Sequence, residues 1–153
     1  MQRVVAYLRE AGAEARVEEF AAGTPTARDA ADALGCELGL IVKTLVFDCD
    51  GRPVLVLVPG DRRASAAKVA AALGAGRARV AGPDRVEETT GFPPGGVAPF
   101  PLPRPAHALI ERTLLTHPIV WAGAGSPSHM LGISPAELMR LSRAHAVDVV
   151  EDG

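Results

Sequence analysis

Two apolar, β-branched runs joined by an Asp-Gly turn constrain the fold more than any other part of this 153-residue chain. The first run, LIVKTLVFD, covers residues 40–48, and the second, PVLVLVP, covers residues 53–59. Between them, Asp50 and Gly51 are residue types that accept the positive φ angles of a tight turn. The pattern therefore predicts a β-hairpin whose first strand is buried.

A lysine interrupts the first run. The chain has 14 arginines and only two lysines, Lys43 and Lys68. Desolvating a lone ammonium costs several kcal/mol, so a lysine among core residues is usually paired, exposed at one end or held for a ligand. Snorkelling of Lys43 from an edge strand to water is the alternative, and the strand pattern leaves both open. Successive side chains of a strand point to opposite faces, so the neighbouring Thr44 is expected to face away from Lys43 and is excluded from the candidate site.

Composition and charge exclude several classes of protein. No apolar run approaches the roughly 20 residues of a membrane helix, and Met1–Val5 lacks the start of a secretory signal, so no membrane partner is expected. Cys36 and Cys49 stand apart, as reduced thiols of a cytoplasmic protein would. A net charge of −2 argues against a DNA-wrapping protein, although local arginine pairs such as Arg62-Arg63 still suit one phosphate-bearing end.

The remaining pattern predicts one domain over residues 1–153, with helices and strands interleaved and no internal repeat. Helices are expected at residues 1–11, 27–34, 64–73 and 83–90, and from Pro135 behind the N-cap Ser134. A Thr24-Pro25-Thr26 segment is expected to cap the second helix. Strands are expected at residues 15–20, 77–81, 106–110, 119–122 and 147–150.

Two segments rich in glycine and proline are predicted to be loops. Residues 91–105 hold three glycines and six prolines, a mixture that suits a binding surface built from backbone. A flexible linker is the alternative, but Val97, Phe100 and Leu102 offer apolar anchors that linkers usually lack. The second loop is GAGSPSHMLGI, residues 123–133.

The sequence lacks the familiar catalytic signatures. Ser126 and His129 do not lie in a GxSxG motif, and no acidic residue lies near them in the sequence to complete a triad. The four histidines have no metal-ligand spacing, and Asp48–Gly51 is a hairpin turn rather than a calcium loop. GAGSPS also lacks the third glycine of a dinucleotide fingerprint. Neither a metal nor a cofactor is expected.

The order of the remaining motifs resembles a known family. IVKTLVF, LVLVPGDRR, TTGFPPGGVAPF, a late glycine-rich loop and SPAEL occur in the order seen in the prolyl-tRNA editing superfamily. That group comprises free-standing YbaK-like proteins and the editing domain inserted in bacterial prolyl-tRNA synthetases. The resemblance extends from about residue 26 to residue 141. It implies a single α/β domain with a mixed, strongly curved, barrel-like sheet flanked by helices.

The resemblance also implies roles for particular residues. Lys43 matches the family's lysine, which anchors the 3′-terminal adenosine of a tRNA, and the Gly95-Gly96-Val97-Ala98-Pro99 segment matches its GxxxP loop, which holds the aminoacyl group and the attacking water. The implied catalytic residues are Lys43, Gly95, Gly96 and Pro99. Val97, Ala98, Gly123, Ser126 and His129 are the implied substrate-binding residues. Phe100-Pro101 after the GxxxP motif, and a last loop less basic than in cysteinyl-tRNA editors, depart from the family pattern and bear on amino-acid specificity.

The implied function is metal-independent hydrolysis of mischarged aminoacyl-tRNA in trans, acting at the 3′ acceptor end. The substrate would be a proline-specific tRNA carrying alanine, cysteine or another small amino acid, and a synthetase is a possible partner. Two other functions stay open. The chain could be a non-catalytic module that binds a tRNA or nucleotide end or a synthetase, or it could hydrolyse small activated esters.

Overall fold

The computed structural model describes residues 1–21, 23–24, 26–93 and 95–152. The predicted capping residue Pro25 and the loop residue Pro94 lie outside this part of the chain. The α-helices are Gln2–Glu10 (α1), Ala27–Leu34 (α2), Ala66–Leu73 (α3), Pro83–Thr90 (α4) and Pro135–Ser142 (α5). The β-strands are Ala15–Glu19 (β1), Val42–Cys49 (β2), Arg52–Pro59 (β3), Ala78–Val80 (β4), His107–Glu111 (β5), Val120–Gly123 (β6), His129–Ile133 (β7) and His145–Val147 (β8). Two short 3₁₀ turns cover Leu38–Leu40 and Arg112–Thr116.

The predicted hairpin is confirmed and forms the centre of the larger sheet. Strands β2 and β3 pair antiparallel along their whole length, from Val42 opposite Pro59 to Cys49 opposite Arg52. At the turn, Asp50 has φ 53° and Gly51 has φ 87°, which are the positive angles that an Asp-Gly turn provides. The larger sheet has the order β4-β2-β3-β5-β8, with β3, β5 and β8 parallel to one another. It is therefore a mixed sheet, as expected.

The expectation of a strongly curved, barrel-like sheet is wrong. A second sheet, with order β1-β7-β6, is antiparallel and separate from the first. In the described part of the chain the two sheets meet at one parallel bridge, between Ile41 and Trp121. A barrel needs continuous pairing from the first strand to the last. Here pairing stops after the Ile41 bridge, because β2 and β6 diverge and leave a cavity between them.

The main hydrophobic core joins the two sheets. Leu57 and Ile110 of the larger sheet pack in one cluster with Val120 and Leu131 of the smaller sheet, and all four are fully buried. Helices α1 and α5 cover this cluster. A second cluster, under α3, buries the opposite face of the larger sheet. Each buried aliphatic side chain contributes roughly 1.5–3 kcal/mol, so this core fixes the position of both sheets around the cavity.

Most of the predicted helices and strands are confirmed, but two segments differ. Residues 129–133, predicted as loop, form β7, the central strand of the smaller sheet. The glycine that favoured a loop prediction is required by packing, because a Cβ at Gly132 would lie 2.7 Å from the Trp121 ring. The strand predicted at residues 147–150 is instead β8, which ends at Val147.

The chain beyond β8 is held by a charged cluster around Lys68. The Nζ atom of Lys68 donates to Asp148 and Asp152 carboxylates and to the Val150 carbonyl, at distances of 2.8–3.0 Å. The buried Glu111 carboxylate accepts from the Val149 N–H at 3.1 Å. These contacts place residues 148–152 against α3 and β5.

No helix in the described residues has both the length and the apolar character needed to cross a bilayer.

We expect Lys68→Met to lower the melting temperature at pH 7 by a few degrees, with an effect that fades in acid. Hydrogen bonding to Lys68 lowers the pKa of Asp148 from its ordinary value of 3.8. As the pH falls, Asp148 is therefore protonated in the unfolded chain before it is protonated in the folded protein. The stability that the Lys68–Asp148 pair contributes is present above pH 3.8 and is lost as the pH falls through the lower pKa of the folded state. Thermal unfolding of both proteins from pH 7 to pH 2 measures this. A difference that stays constant over that range would contradict it.

Candidate active site

The main candidate site is a cavity of about 280 Å³ at the point where β2 and β6 diverge. Its walls come from Ile41, residues 42–45 of β2, the N-terminal turn of α2 and two glycine-containing loops. The first loop contributes residues 95–97, and the second, which joins β6 to β7, contributes Gly123 and Ser126. The cavity therefore lies between the two sheets, with residues of both in its walls.

Lys43 is the one full charge among the described residues that line the cavity. Its side chain is half-buried, and its Nζ atom donates a hydrogen bond of 2.8 Å to the Arg62 carbonyl oxygen. Burial lowers the pKa of Lys43, while the nearby charge of Asp61 opposes this shift and that of Arg63 adds to it. Within the described part of the chain the ammonium has one partner, this carbonyl, and an ammonium has two further N–H donors with which it can bind a ligand.

The Arg62 carbonyl, which accepts the hydrogen bond from Lys43, lies in a loop that is held by the residues following β8. The Ser65 N–H donates to the Val149 carbonyl at 2.8 Å, and the Glu151 N–H donates to the Arg63 carbonyl at 2.8 Å. The Arg62 guanidinium donates to the Glu151 carbonyl at 2.6 Å. The Lys68 cluster therefore supports the loop that positions Lys43.

The two loops meet by direct contact of their backbones. The Gly125 N–H donates to the Gly96 carbonyl at 2.7 Å. A Cβ at Gly96 would lie 2.5 Å from the Ser126 carbonyl carbon, and a Cβ at Gly123 would overlap the Val97 carbonyl. Gly95 has open space around it but a φ of 99°, so its need for glycine is conformational. A side chain at Gly96 or Gly123 would push the two loops apart.

Ser126 and His129 are joined in a hydrogen-bonded chain on this wall. The Ser126 Oγ lies 2.9 Å from the His129 Nδ1, and the His129 Nε2 lies 3.1 Å from the Glu19 carboxylate. Ser128 also contributes, with its N–H donating to the Ser126 Oγ at 3.2 Å. The acidic partner that the local sequence lacks is thus supplied by β1, where Glu19 pairs with His129 across the smaller sheet.

Seven of the nine predicted site residues line the cavity together. They are Lys43, Gly95, Gly96, Val97, Gly123, Ser126 and His129. Ala98 and Pro99 are buried beside it but do not line it, and Ala98 belongs to the main core. Their roles stay predictions, and the position of these two favours support of the loop over contact with a ligand.

Several residues at the cavity were not predicted as site residues, among them Thr44 and Glu19. Thr44 lines it in spite of facing away from Lys43, because the cavity lies at the edge of β2, where both faces of the strand reach it. The buried Thr44 hydroxyl has no hydrogen-bond partner among the described residues. Glu19 was missed because its contact with His129 depends on pairing between strands about 110 positions apart.

The side chains of this cavity offer an ammonium, hydroxyls and an imidazole. Within residues 1–21, 23–24, 26–93 and 95–152, no group of three or more metal-ligating side chains comes together. The side chains that line the walls can form hydrogen bonds, and Lys43 adds a positive charge.

Comparison with known proteins identifies the family. The family model described as "Aminoacyl-tRNA editing domain" matches residues 21–141, which include every residue of the cavity wall. The chain belongs to the aminoacyl-tRNA editing domain family. This confirms the resemblance inferred from the order of the motifs.

Two curated proteins are similar to this chain in sequence. The chain is 31% identical over 138 residues to the uncharacterised protein YwhH of Bacillus subtilis (strain 168), covering 89% of this chain and 87% of YwhH. It is 40% identical over 80 residues to the proline–tRNA ligase of Nitratidesulfovibrio vulgaris (strain DP4), covering 52% of this chain but only 14% of the ligase. The similarity thus concerns a small part of the ligase.

A solved structure extends the similarity to the whole fold. The crystal structure of a protein proposed to be a trans-editing enzyme for prolyl-tRNA synthetase superimposes with a TM-score of 0.91 at 38% sequence identity. The superposition covers 99% of this chain and 96% of that protein. The fold described above is therefore shared with that protein over nearly the whole of this chain.

We expect Gly96→Ala to lower the free energy of unfolding by about 1–3 kcal/mol, because the new methyl group would meet backbone atoms that cannot rotate away. Gly76→Ala is the matched control. Its Cβ would meet only the Asp50 side chain, at an ordinary 3.7 Å, and should change stability by less than about 0.5 kcal/mol. Urea unfolding of both variants measures the difference. Equal stability of the two would contradict the close approach at Gly96.

Proposed function

We propose that this protein hydrolyses the ester bond of mischarged aminoacyl-tRNA, and that it does so in trans. The observation that carries the proposal is the placement of the Lys43 ammonium in one cavity with two loops that meet through glycine backbone. Membership in the editing family and the similarity to proline–tRNA ligase support it. The reaction consumes water and releases a free amino acid and a reusable tRNA.

Lys43 is the proposed anchor for the 3′-terminal nucleotide. An ammonium in a partly dry pocket forms a charge-assisted hydrogen bond with phosphate that water screens only weakly. The exposed Arg63, whose charge already acts on Lys43, extends the positive potential outward from the cavity. The rest of the acceptor end would follow this side of the cavity mouth.

The glycine loops are proposed to form the reacting part of the site. An aminoacyl ester is already activated, so a water held next to the carbonyl and backbone donors aimed at the developing oxyanion are sufficient. Gly95 and Gly96 allow this backbone to approach the ester closely. Attack by the water forms a tetrahedral intermediate, whose collapse breaks the bond to the ribose oxygen. Neither a metal nor a protein nucleophile takes part in this proposal.

The proposed substrate is a proline-specific tRNA that carries alanine, cysteine or another small amino acid. A synthetase pocket built for proline discriminates weakly against smaller residues, because each methylene is worth only about 1–3 kcal/mol. A second site that hydrolyses what fits into it raises the overall discrimination. A cavity of about 280 Å³, part of which the terminal ribose would occupy, suits a small amino acid. Such a reaction belongs in the cytoplasm, together with the synthetase.

We expect Lys43→Met to lower kcat/KM for deacylation by about 10–100-fold, the value of one charge-assisted hydrogen bond. The melting temperature should stay the same or rise, because burial penalises the ammonium in the folded state. Arg9→Met is the matched control, since it removes one positive charge from an exposed position outside the cavity wall. Deacylation kinetics and thermal unfolding of the three proteins test this. Equal loss of activity in both variants would remove Lys43 from the site.

The first experiment is deacylation of 3′-labelled tRNAs charged with alanine, cysteine, serine, threonine and proline. Release of one noncognate amino acid, reduced in Lys43→Met, supports the proposed reaction and identifies the substrate. Binding of tRNA without release would indicate a non-catalytic binding module. Equal hydrolysis of aminoacyl esters that lack the tRNA would indicate a small-molecule esterase.

A further inference from the structure

The part of the cavity wall that belongs to the smaller sheet carries a directional hydrogen-bonded chain. Glu19 lies on β1, His129 begins β7 and Ser126 belongs to the loop before it, so this wall belongs to the smaller sheet. Lys43 belongs to the larger sheet. The cavity thus has a cation on one wall and a carboxylate-supported chain on the other.

The chemistry of the chain fixes the direction of each hydrogen bond when the imidazole is neutral. A carboxylate only accepts, so Glu19 requires the proton to be on the His129 Nε2, 3.1 Å away. The Nδ1 is then an acceptor, and the Ser126 hydroxyl at 2.9 Å donates to it. The two lone pairs of the Ser126 Oγ are therefore left to act as acceptors.

One of those lone pairs receives the Ser128 N–H at 3.2 Å, and the other faces the Ser128 hydroxyl at 3.1 Å. A hydroxyl can rotate away, whereas the backbone N–H cannot. The Ser128 hydroxyl also lies 3.3 Å from the His129 Nδ1. A stronger donor from a ligand can therefore replace the Ser128 hydroxyl at the Ser126 Oγ without disturbing the rest of the chain.

We propose that Ser126 is the subsite for the α-ammonium group of the aminoacyl ester and that Glu19 is a positioning residue acting through His129. This inference rests on the proposed function and adds the chemical class of the substrate to it: an ester with a free amine. Repulsion from Lys43 directs the ammonium to the wall of the smaller sheet, where the Glu19 charge supports an acceptor. The same two walls direct the phosphate to Lys43, which fixes the orientation of the substrate. N-acetylated esters lack the positive charge and keep a single N–H donor, so they are expected to bind this subsite more weakly.

The test compares alanyl-tRNA specific for proline with its N-acetylated form. We expect the wild-type protein to prefer the free amine by about ten-fold or more in kcat/KM, as for one charge-assisted hydrogen bond. Glu19→Gln should reduce this preference to about three-fold or less, because an amide can donate as well as accept and no longer fixes the imidazole. The carboxylate side chain of Glu19 is 71% exposed, so this variant is expected to fold.

Glu18→Gln is the matched control. Glu18 neighbours Glu19 on β1 but pairs with Arg16 at 2.9 Å, and it should keep the full preference. Nitrogen-15 NMR of the His129 ring gives a readout that a purely structural role would not change. The proton should be on Nε2 in the wild-type protein and in Glu18→Gln, and should be shared between the two nitrogens in Glu19→Gln.

The inference is overturned if the wild-type protein treats both substrates alike, or if Glu19→Gln lowers kcat/KM equally for both. Calorimetric binding of 3′-(alanylamino)-3′-deoxyadenosine 5′-phosphate and its N-acetyl derivative separates this result from a failure of the proposed function. Preferential binding of the free amine without hydrolysis of any tRNA would support the subsite and contradict the deacylase. Hydrolysis with no preference for the amine would support the deacylase and contradict the subsite.

Discussion

The site depends on one close contact between two stretches of backbone. The hydrogen bond from Gly125 to Gly96 and the lack of room for a Cβ at Gly96 and Gly123 bring the two loops as near to each other as neighbouring strands. The two backbones touch directly, so the relative position of the loops is fixed by packing and by this hydrogen bond. Reactions at a bound ester lose about 100-fold for a displacement of about 1 Å, which makes rigidity of this kind useful.

Folding shifts the pKa values of the two lysines in opposite directions. Hydrogen bonds to Asp152 and Asp148 raise the pKa of Lys68, so the folded state favours its charge. Burial lowers the pKa of Lys43, so the folded state disfavours its charge. The first lysine stabilises the fold, and the second is retained at a cost to it. Perturbed charges of the second kind concentrate at functional sites. The opposite pKa shifts of the two lysines thus support a structural role for Lys68 and the proposed binding role for Lys43.

The sequence predicted those parts of the fold that depend on local chemistry. The hairpin and the caps at Thr26 and Ser134 are determined by neighbouring residues. Strand β7 escaped prediction because Gly132 marks a close approach to Trp121, which lies on another strand. The division into two sheets likewise follows from long-range packing.

In the candidate site, too, the residues with a local sequence signal were predicted and the long-range contacts were not. Lys43 was identified because an ammonium among apolar residues needs an explanation, and the glycine loops because their composition excludes regular structure. The Glu19–His129 contact joins distant strands and leaves no local signal. Thr44 was excluded by a correct rule, the alternation of side chains, which does not hold for a ligand bound at the edge of a strand.

The unpaired edge of β2 also bears on how the protein behaves toward other chains. Between the Ile41 bridge and the start of its pairing with β4 at Phe47, one side of β2 has no strand partner in the described part of the chain. Unpaired strand edges are templates for association with other chains, and proteins usually cover or charge them. Here the helix, the two loops and the Lys43 charge provide that protection. The residues proposed to hold a substrate therefore also lie along an unpaired strand edge, so substitutions at these positions are expected to affect solubility as well as activity.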